Sequence, residues 1–263
     1  MPLKAPPAPA VAAATWSGCY MGGNVGWIGS SDHYDLSMAG GFLDPINLFS
    51  NPANSAPLNH SYDPHSLGIT GGAQVGCNYQ TGAVVFGAEV DFDGSGLRDT
   101  INAAYGPGVI PPPFLPTAPH TESVTTDLDW FSTFRARLGF TPAPQWLLYV
   151  TGGGAVGRMH SNANINFGAV PGALLSGFPF NGSDTETRVG WTVGAGAEYA
   201  FGNNWSLKAE YLYLDFGSVN YLAVCPATAG FCATAPGQAP FAWNVHARMH
   251  DNVARVGLNY KFH

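Results

Sequence analysis

Charged side chains occur at alternate positions in several short segments of this sequence. Glu89, Asp91 and Asp93 lie two residues apart, and Arg135 and Arg137 repeat that spacing. Carboxylates and basic groups held close together could carry out general acid–base catalysis. The same spacing also places side chains on one face of a β-strand, because successive side chains of a strand point in opposite directions. The charged residues that share strand faces in this way are Glu89, Asp91, Asp93, Arg135, Arg137, Glu198, Lys208, Glu210, Arg255 and Lys261.

These ten residues balance in charge. Five are carboxylates and five are basic, and the five basic residues are half of the ten Lys and Arg residues in the chain. A face that is cut off from water requires such pairing, because an unpaired buried charge is very costly. We therefore predict an internal network of paired charges. Ordinary charges on water-exposed strands are the alternative.

Other motifs give no support for catalysis or ligand binding. The glycine-rich stretch TGGGAVG at 151–157 lacks the Lys-Ser/Thr of a phosphate-binding loop. His246 and His250 share a strand face, but a metal site needs a geometric cluster of ligands, so we expect rim or loop histidines. No Ser-His-Asp set can be assembled. We predict no catalytic residue, no metal site and no cofactor, and hence a protein that is not an enzyme.

Eight segments of alternating polarity must position the charged residues. The connections at 81–82, 142–145 and 202–204 are short and rich in turn residues, whereas those near 31–66, 95–123, 159–187 and 219–243 are long. Short turns that alternate with long loops, and an even strand count, are typical of outer-membrane barrels. The fold class predicted is all-β, an eight-stranded antiparallel up-and-down transmembrane β-barrel with four long extracellular loops. The segments are approximately 16–30, 67–80, 83–94, 124–141, 146–158, 188–201, 205–218 and 244–262.

Composition agrees with a barrel whose outside does not face water. Charged residues are only 10% of the chain, against about 25% in a typical soluble domain. No apolar run approaches the ~20 residues that a spanning helix needs. The net charge of −7 excludes nucleic acid as an expected partner. Residues 1–15 are rich in Pro and Ala and are predicted to be a periplasmic tail outside the barrel domain at 16–263.

The two strand faces differ in a way that favours a small membrane barrel. The polar face is mostly Gly and Thr with a few charges, as in the segment GWTVGAGAEYAF at 190–201. The interior of an eight-stranded barrel has room for few large side chains, which explains the glycines. The apolar face carries aromatic residues near strand ends, as in a membrane-interface girdle. The predicted girdle residues are Trp16, Trp146, Trp205, Tyr260 and Phe262.

Several of these stretches resemble a known family. They include WSGCYMGGNVGW, VVFGAEVDF, RARLGF, GWTVGAGAEYAF, WSLKAEYLYLDFG and VARVGLNYKF. Together they are similar to the alphaproteobacterial outer-membrane immunogenic protein family, small porin-like barrels of Gram-negative outer membranes. The resemblance implies an eight-stranded barrel with periplasmic N-terminus and tight turns, surface-exposed loops and a structural role. Family chains usually carry an aromatic residue at the position of Cys19. The family's N-terminus is implicated in linkage to peptidoglycan, but Met1 stands at that position here, so the resemblance does not predict this linkage.

The four cysteines suggest two disulfides. Cys225 and Cys232 bracket six residues in the last long loop, and we predict that they staple it. Cys19 and Cys77 lie on neighbouring segments, on the same outward face and near the short turns. Our hypothesis is that they form a cross-strand disulfide. The alternative is that they are two small apolar residues that face the lipid.

The function expected is that of a structural outer-membrane barrel with a side-chain-filled lumen, which contributes to envelope integrity and presents surface loops. The alternative is a narrow porin-like channel for small solutes, although eight strands leave little room for one. The expected partners are outer-membrane lipid and lipopolysaccharide. Apolar loop stretches such as VPGALLSGFPF suggest a folded cap over the barrel mouth, with self-association or contacts to envelope proteins still open. Contact of the N-terminal tail with peptidoglycan is also open.

Overall fold

The computed structural model of the chain describes residues 15–39, 58–107, 109–110, 115–172, 176–202, 204–226 and 242–262. The predicted tail at 1–15 falls almost wholly outside these residues and stays a prediction. Of the apolar loop stretch at 170–180, only residues 173–175 lie outside them. Among the described residues, no helix is long and apolar enough to span a bilayer.

Twelve strands lie within the described residues. They are β1 (Gly18–Ser30), β2 (His33–Ala39), β3 (His60–Tyr62), β4 (Leu67–Thr81), β5 (Val84–Tyr105), β6 (Val109–Ile110), β7 (Leu115–Pro116), β8 (His120–Ala143), β9 (Trp146–Phe167), β10 (Pro179–Gly202), β11 (Trp205–Val224) and β12 (Ala242–Phe262).

Eight of these strands form a closed antiparallel ring. The hydrogen-bonded order is β1-β4-β5-β8-β9-β10-β11-β12, and β12 pairs with β1 to close it. The register of the closing pair runs from Cys19 opposite Phe262 to Ser30 opposite Asp251. Strands β2 and β3 extend the wall beyond β1, with β2 pairing to both β12 and β3. This ring confirms the predicted eight-stranded up-and-down barrel.

Three short connections define one end of the barrel, here called the short-turn end; the opposite end is the long-loop end. Between β4 and β5, Gly82 adopts a positive φ of 60°, and before β11 Asn204 adopts a φ of 67°. Gly and Asn are the residues that accept this left-handed conformation most readily. The turn chemistry visible in the sequence therefore fixes where these strands reverse.

The strands are longer than the alternating segments predicted from the sequence. Strand β8, for example, spans 24 residues and β9 spans 22, whereas a membrane-spanning strand needs only about 9–11. Much of the predicted loops at 95–123, 159–187 and 219–243 is therefore strand. The prediction was wrong there because the polarity of the two strand faces is reversed in these extensions. Ala163 and Ile165 point inward, while Asn162 and Asn164 point outward.

The inverted pattern builds an apolar core at the long-loop end of the lumen. Inward side chains from the strand extensions pack together there, with no more than 4% of each exposed to solvent for Phe131, Met159, Ile165, Phe180 and Trp243. A second, smaller apolar cluster lies at the short-turn end. Two layers of buried apolar residues thus enclose whatever lies between them along the barrel axis.

Trp16 belongs to the smaller cluster, so its assignment to the outward girdle was wrong. It is 6% exposed and packs with Val85, Leu147 and Tyr149. Trp16 lies four residues before Tyr20, which points into the lumen. Residues an even number of positions apart in a strand lie on the same face, so the Trp16 ring also points inward. The other predicted girdle residues lie on the outward face, where 39–45% of their surface is exposed: Trp146, Trp205, Tyr260 and Phe262.

A disulfide joins Cys19 to Cys77 across the β1–β4 pair. The two residues are direct register partners, with their Cα atoms 4.0 Å apart. The other predicted pair includes Cys232, which lies outside the described residues, so that pairing stays a prediction.

We expect the Cys19–Cys77 disulfide to stabilise the folded barrel by about 2–4 kcal/mol, because it closes a long loop in the unfolded chain. Urea unfolding of the lipid-reconstituted protein, with and without reductant, measures this contribution. The Cys19→Ala/Cys77→Ala variant is the control, since any reductant effect that it retains belongs to other cysteines. An equal reductant effect in wild type and variant would contradict the prediction.

Candidate functional site

Arg135, on β8, binds three carboxylates inside the lumen. Its Nη2 atom donates to Glu89 Oε1 at 2.6 Å and to Asp91 Oδ2 at 2.8 Å, and its Nη1 atom donates to Glu210 Oε1 at 2.9 Å. Its Nε atom donates to Thr133 Oγ1 at 2.8 Å. Because β8 and β11 are three places apart in the ring, the contact with Glu210 crosses the lumen.

Arg255, on β12, makes a second crossing. It donates to Glu210 Oε2 from Nε at 2.9 Å and from Nη2 at 2.7 Å, and to Asp93 Oδ2 from Nη1 at 2.8 Å. Its Nη2 atom also donates to Asp91 Oδ2 at 2.6 Å. Asp91 and Glu210 therefore each bind both arginines, which makes the cluster a network rather than a set of separate pairs.

The remaining basic groups continue the network towards the short-turn end. Lys208 Nζ donates to Glu89 Oε1 at 2.8 Å. Arg137 Nη2 donates to Glu198 Oε2 at 2.6 Å, and its guanidinium lies 3.6 Å from the centre of the Tyr149 ring. Charge-assisted contacts of this kind are short and strong when water is excluded.

Two tyrosines that were not predicted from the sequence complete the network. Tyr20 O–H donates to Glu89 Oε2 at 2.5 Å, and Tyr149 O–H donates to Glu210 Oε1 at 2.9 Å. Their rings pass directly over lumen glycines: a Cβ at Gly76 would clash with Tyr20 Oη, and one at Gly196 would clash with Tyr149 Oη. The glycines were a usable signal, since a missing side chain in a packed lumen marks where a large neighbour lies.

An amide relay connects β1 to the same network. Asn24 donates to Gln74 at 2.8 Å, Gln74 donates to Asn259 at 2.7 Å, and Asn259 donates to Glu198 at 3.0 Å. Ser206 O–H also donates to Glu198, at 2.5 Å. Polar contacts therefore reach the lumen face of all eight ring strands.

One predicted member of the network lies elsewhere. Lys261 is only partly buried, and its Nζ atom donates to the main-chain carbonyl of Thr15 at the short-turn end. Because Lys261 is next to the last residue of β12, it lies nearer the short-turn end than the lumen charges do. Within the lumen network, five carboxylates therefore face four basic groups. The nine predicted charges that do belong to the network are Glu89, Asp91, Asp93, Arg135, Arg137, Glu198, Lys208, Glu210 and Arg255.

A separate polar cluster, the His–Glu cluster of His60, His120 and Glu122, lies inside the long-loop end. His60 Nδ1 is 2.8 Å and His120 Nε2 is 3.2 Å from Glu122 Oε1, and Tyr62 O–H donates to Glu122 Oε2 at 2.5 Å. Burial would raise the pKa of the Glu122 carboxyl, but hydrogen bonds from His120, His60 and Tyr62 offset burial and lower that pKa to about 2. The alternating pattern gave no sign of this cluster, because all these residues fall in the predicted long loops.

Comparison with known proteins identifies the family. A profile of the outer membrane protein β-barrel domain matches residues 3–262. The chain belongs to this outer-membrane β-barrel family. The 31 kDa outer-membrane immunogenic protein of Brucella melitensis biotype 1 is 35% identical to this barrel, over 98% of this chain and 89% of that protein. These matches confirm the family and the outer-membrane location predicted from the sequence.

Two further comparisons are more distant. The 22 kDa outer membrane protein of Rhizobium leguminosarum bv. viciae is 26% identical, over 81% of this chain and 71% of that protein. The crystal structure of Neisserial surface protein A is 11% identical with a TM-score of 0.31, over 91% of this chain and 99% of that one.

In an outer-membrane barrel, the apolar outward band marks the part that contacts lipid. On β8 this band includes Phe134, Leu138 and Phe140, each at least half exposed. Nearer the long-loop end than this band, Thr121 and Ser123 occupy the outward face of β8. The charged network lies at the level of the lipid-facing band, whereas the His–Glu cluster lies in the extension beyond it.

We expect Arg135→Ala to lower the free energy of unfolding by about 3–5 kcal/mol, because it leaves buried carboxylates without their main partner. Urea unfolding in lipid vesicles measures the change. Arg98→Ala is the matched control: Arg98 pairs with Asp127 at 2.5 Å but is well exposed to solvent, so its loss should have little measurable effect. Equal unfolding midpoints for Arg135→Ala and wild type would contradict the prediction.

Proposed function

We propose that this protein is a structural outer-membrane barrel with a closed lumen, which contributes to envelope integrity and presents surface loops. The observation that carries the proposal is the contact of Arg135 with Glu210 and of Arg255 with Asp91, since both cross the lumen between non-neighbouring strands. Eight strands leave an interior that side chains can fill. The apolar core at the long-loop end adds a second closed layer.

The proposed role is not enzymatic. The buried ionisable groups of the network bind one another across the lumen. A general acid or base must instead reach a substrate atom from an accessible position. The outward partners proposed are outer-membrane lipid and lipopolysaccharide.

The proposed orientation places the short-turn end and the N-terminal tail in the periplasm and the long loops outside the cell. Outer-membrane barrels have short periplasmic turns and longer extracellular loops, which supports this assignment. The loops would then be available for self-association or for contacts with envelope proteins, and the tail for contact with peptidoglycan.

Planar-bilayer conductance tests the closed lumen. We expect wild-type protein to give no stable unit steps, because the network and the apolar core both obstruct the lumen. The Arg135→Ala/Arg255→Ala variant should admit ions more readily than wild type, and Arg98→Ala should behave as wild type does. Reproducible unit steps from the wild-type barrel would instead support the narrow porin-like channel.

Cysteine labelling of intact cells tests the orientation. Ala169, between β9 and β10, and Gln145, between β8 and β9, are both exposed positions at opposite ends. We expect a membrane-impermeant maleimide to label Ala169→Cys on intact cells and Gln145→Cys only after permeabilisation. The reverse pattern would overturn the proposed orientation, and wild type serves as the control for labelling of its own cysteines.

A further inference from the structure

The His–Glu cluster has the geometry of a metal site. The ligand atoms of His60, His120 and Glu122 all lie within 4.8 Å of one another. Both ring nitrogens point at the same oxygen, Glu122 Oε1, from 2.8 and 3.2 Å. A tetrahedral zinc ion bound at 2.0–2.1 Å keeps its ligand atoms about 3.3 Å apart. Small side-chain rotations would therefore open the space that the ion needs.

The donor set also fits the chemistry of zinc. Two imidazole nitrogens and one carboxylate oxygen form a common three-residue zinc site, in which water occupies the fourth position. Imidazole favours zinc and other late transition metals over magnesium and calcium, which prefer oxygen ligands. The chemistry therefore selects zinc rather than a hard cation.

The charge of Glu122 lacks a permanent partner within the described part of the chain. Its side chain is fully buried, and the ion pairs recorded for it involve only the two histidines. A buried carboxylate must be compensated, and a bound cation would supply that positive charge. In addition, the buried Nδ1 atom of His120 has no hydrogen-bond partner among the described residues.

Neighbouring side chains hold the three ligands in place. Tyr62 O–H fixes the second oxygen of Glu122, and the hydroxyls of Tyr62 and Tyr105 lie 2.5 Å apart. The His60 ring stacks on Tyr105 at 3.8 Å and an angle of 7°, and the His120 ring stacks on Phe167 at 4.6 Å. Outer contacts of this kind orient metal ligands and support affinity.

We propose that His60, His120 and Glu122 bind a zinc ion inside the long-loop end of the barrel. The side chain of His60 is 16% exposed, compared with 4% for His120, so the ion enters past His60. The site lies beyond the lipid-facing band and is separate from the lumen network. Its occupancy ties β3, which has only three residues, to the start of β8.

Zinc titration of the untagged, folded protein tests the proposal. The protein in detergent is stripped with a chelator and titrated with Zn²⁺ by calorimetry, and Co²⁺ is added separately for its visible spectrum. We expect one equivalent of zinc per chain and intense bands of tetrahedral Co²⁺. Loss of a ligand in His60→Ala or Glu122→Gln should weaken binding by more than the ~10–100-fold typical of changes next to a metal site.

Matched variants separate this site from general histidine binding. His246→Ala removes a histidine of the same end, whose Nδ1 atom lies 2.6 Å from Asn220 Oδ1, and this variant should bind zinc as wild type does. The heat-dependent gel mobility of folded barrels checks that each variant is folded. If Glu122→Gln does not fold, His60→Ala decides, because it changes a partly exposed residue of a short strand. Absence of a stoichiometric site in wild type, or unchanged affinity in folded His60→Ala, would overturn the proposal.

Discussion

Pairing of β1 with β12 is the constraint on which the rest of the structure depends. A strand edge inside a bilayer would leave backbone N–H and C=O groups without partners, so a membrane-spanning sheet must close. Closure with eight strands sets a narrow lumen. Large inward side chains then fit only where their neighbours are absent, which is why the rings of Tyr20 and Tyr149 lie over Gly76 and Gly196. The glycine content and the charge pairing follow from this one geometric limit.

The inversion of polarity along each strand follows from the change of solvent at the membrane surface. At the lipid level the outward face is apolar, and the lumen can hold Arg135 and its carboxylates because the lipid contact stabilises the wall. Beyond that level the outward face meets water, and hydrophobic burial is available only inside. The extension therefore places Phe131 and Ile165 in the lumen. Bulges between Leu128 and Trp130 on β8 and between Asp215 and Gly217 on β11 occur near this change, where a bulge can shift which residues face inward.

A local period of two predicted the eight ring strands and nine of the ten lumen charges, and the alternation of short turns with long loops predicted the strand order. The prediction of strand ends failed where the alternation continues but the outward face meets water instead of lipid. Asn162 and Asn164 point outward there, and polar residues on the outward face suggest a loop when that face is assumed to meet lipid. The position of Lys261 depends on how far a residue lies along the barrel axis, which parity does not encode. The His–Glu cluster joins β3 to β8 across 60 residues or more of chain, and no spacing in the sequence marks it.

The buried charges contribute to specificity as well as to stability. Replacing a buried ion pair with apolar residues often leaves stability unchanged or raises it, so the network needs a further reason to persist. A slip of one residue in a strand register turns every side chain to the opposite face. Such a slip of β8 would place Arg135 and Arg137 in lipid, where each basic residue costs about 2–4 kcal/mol at the midplane. The carboxylates left in the lumen would then have no positive charge to pair with. The charges of β8 therefore add information that fixes its register.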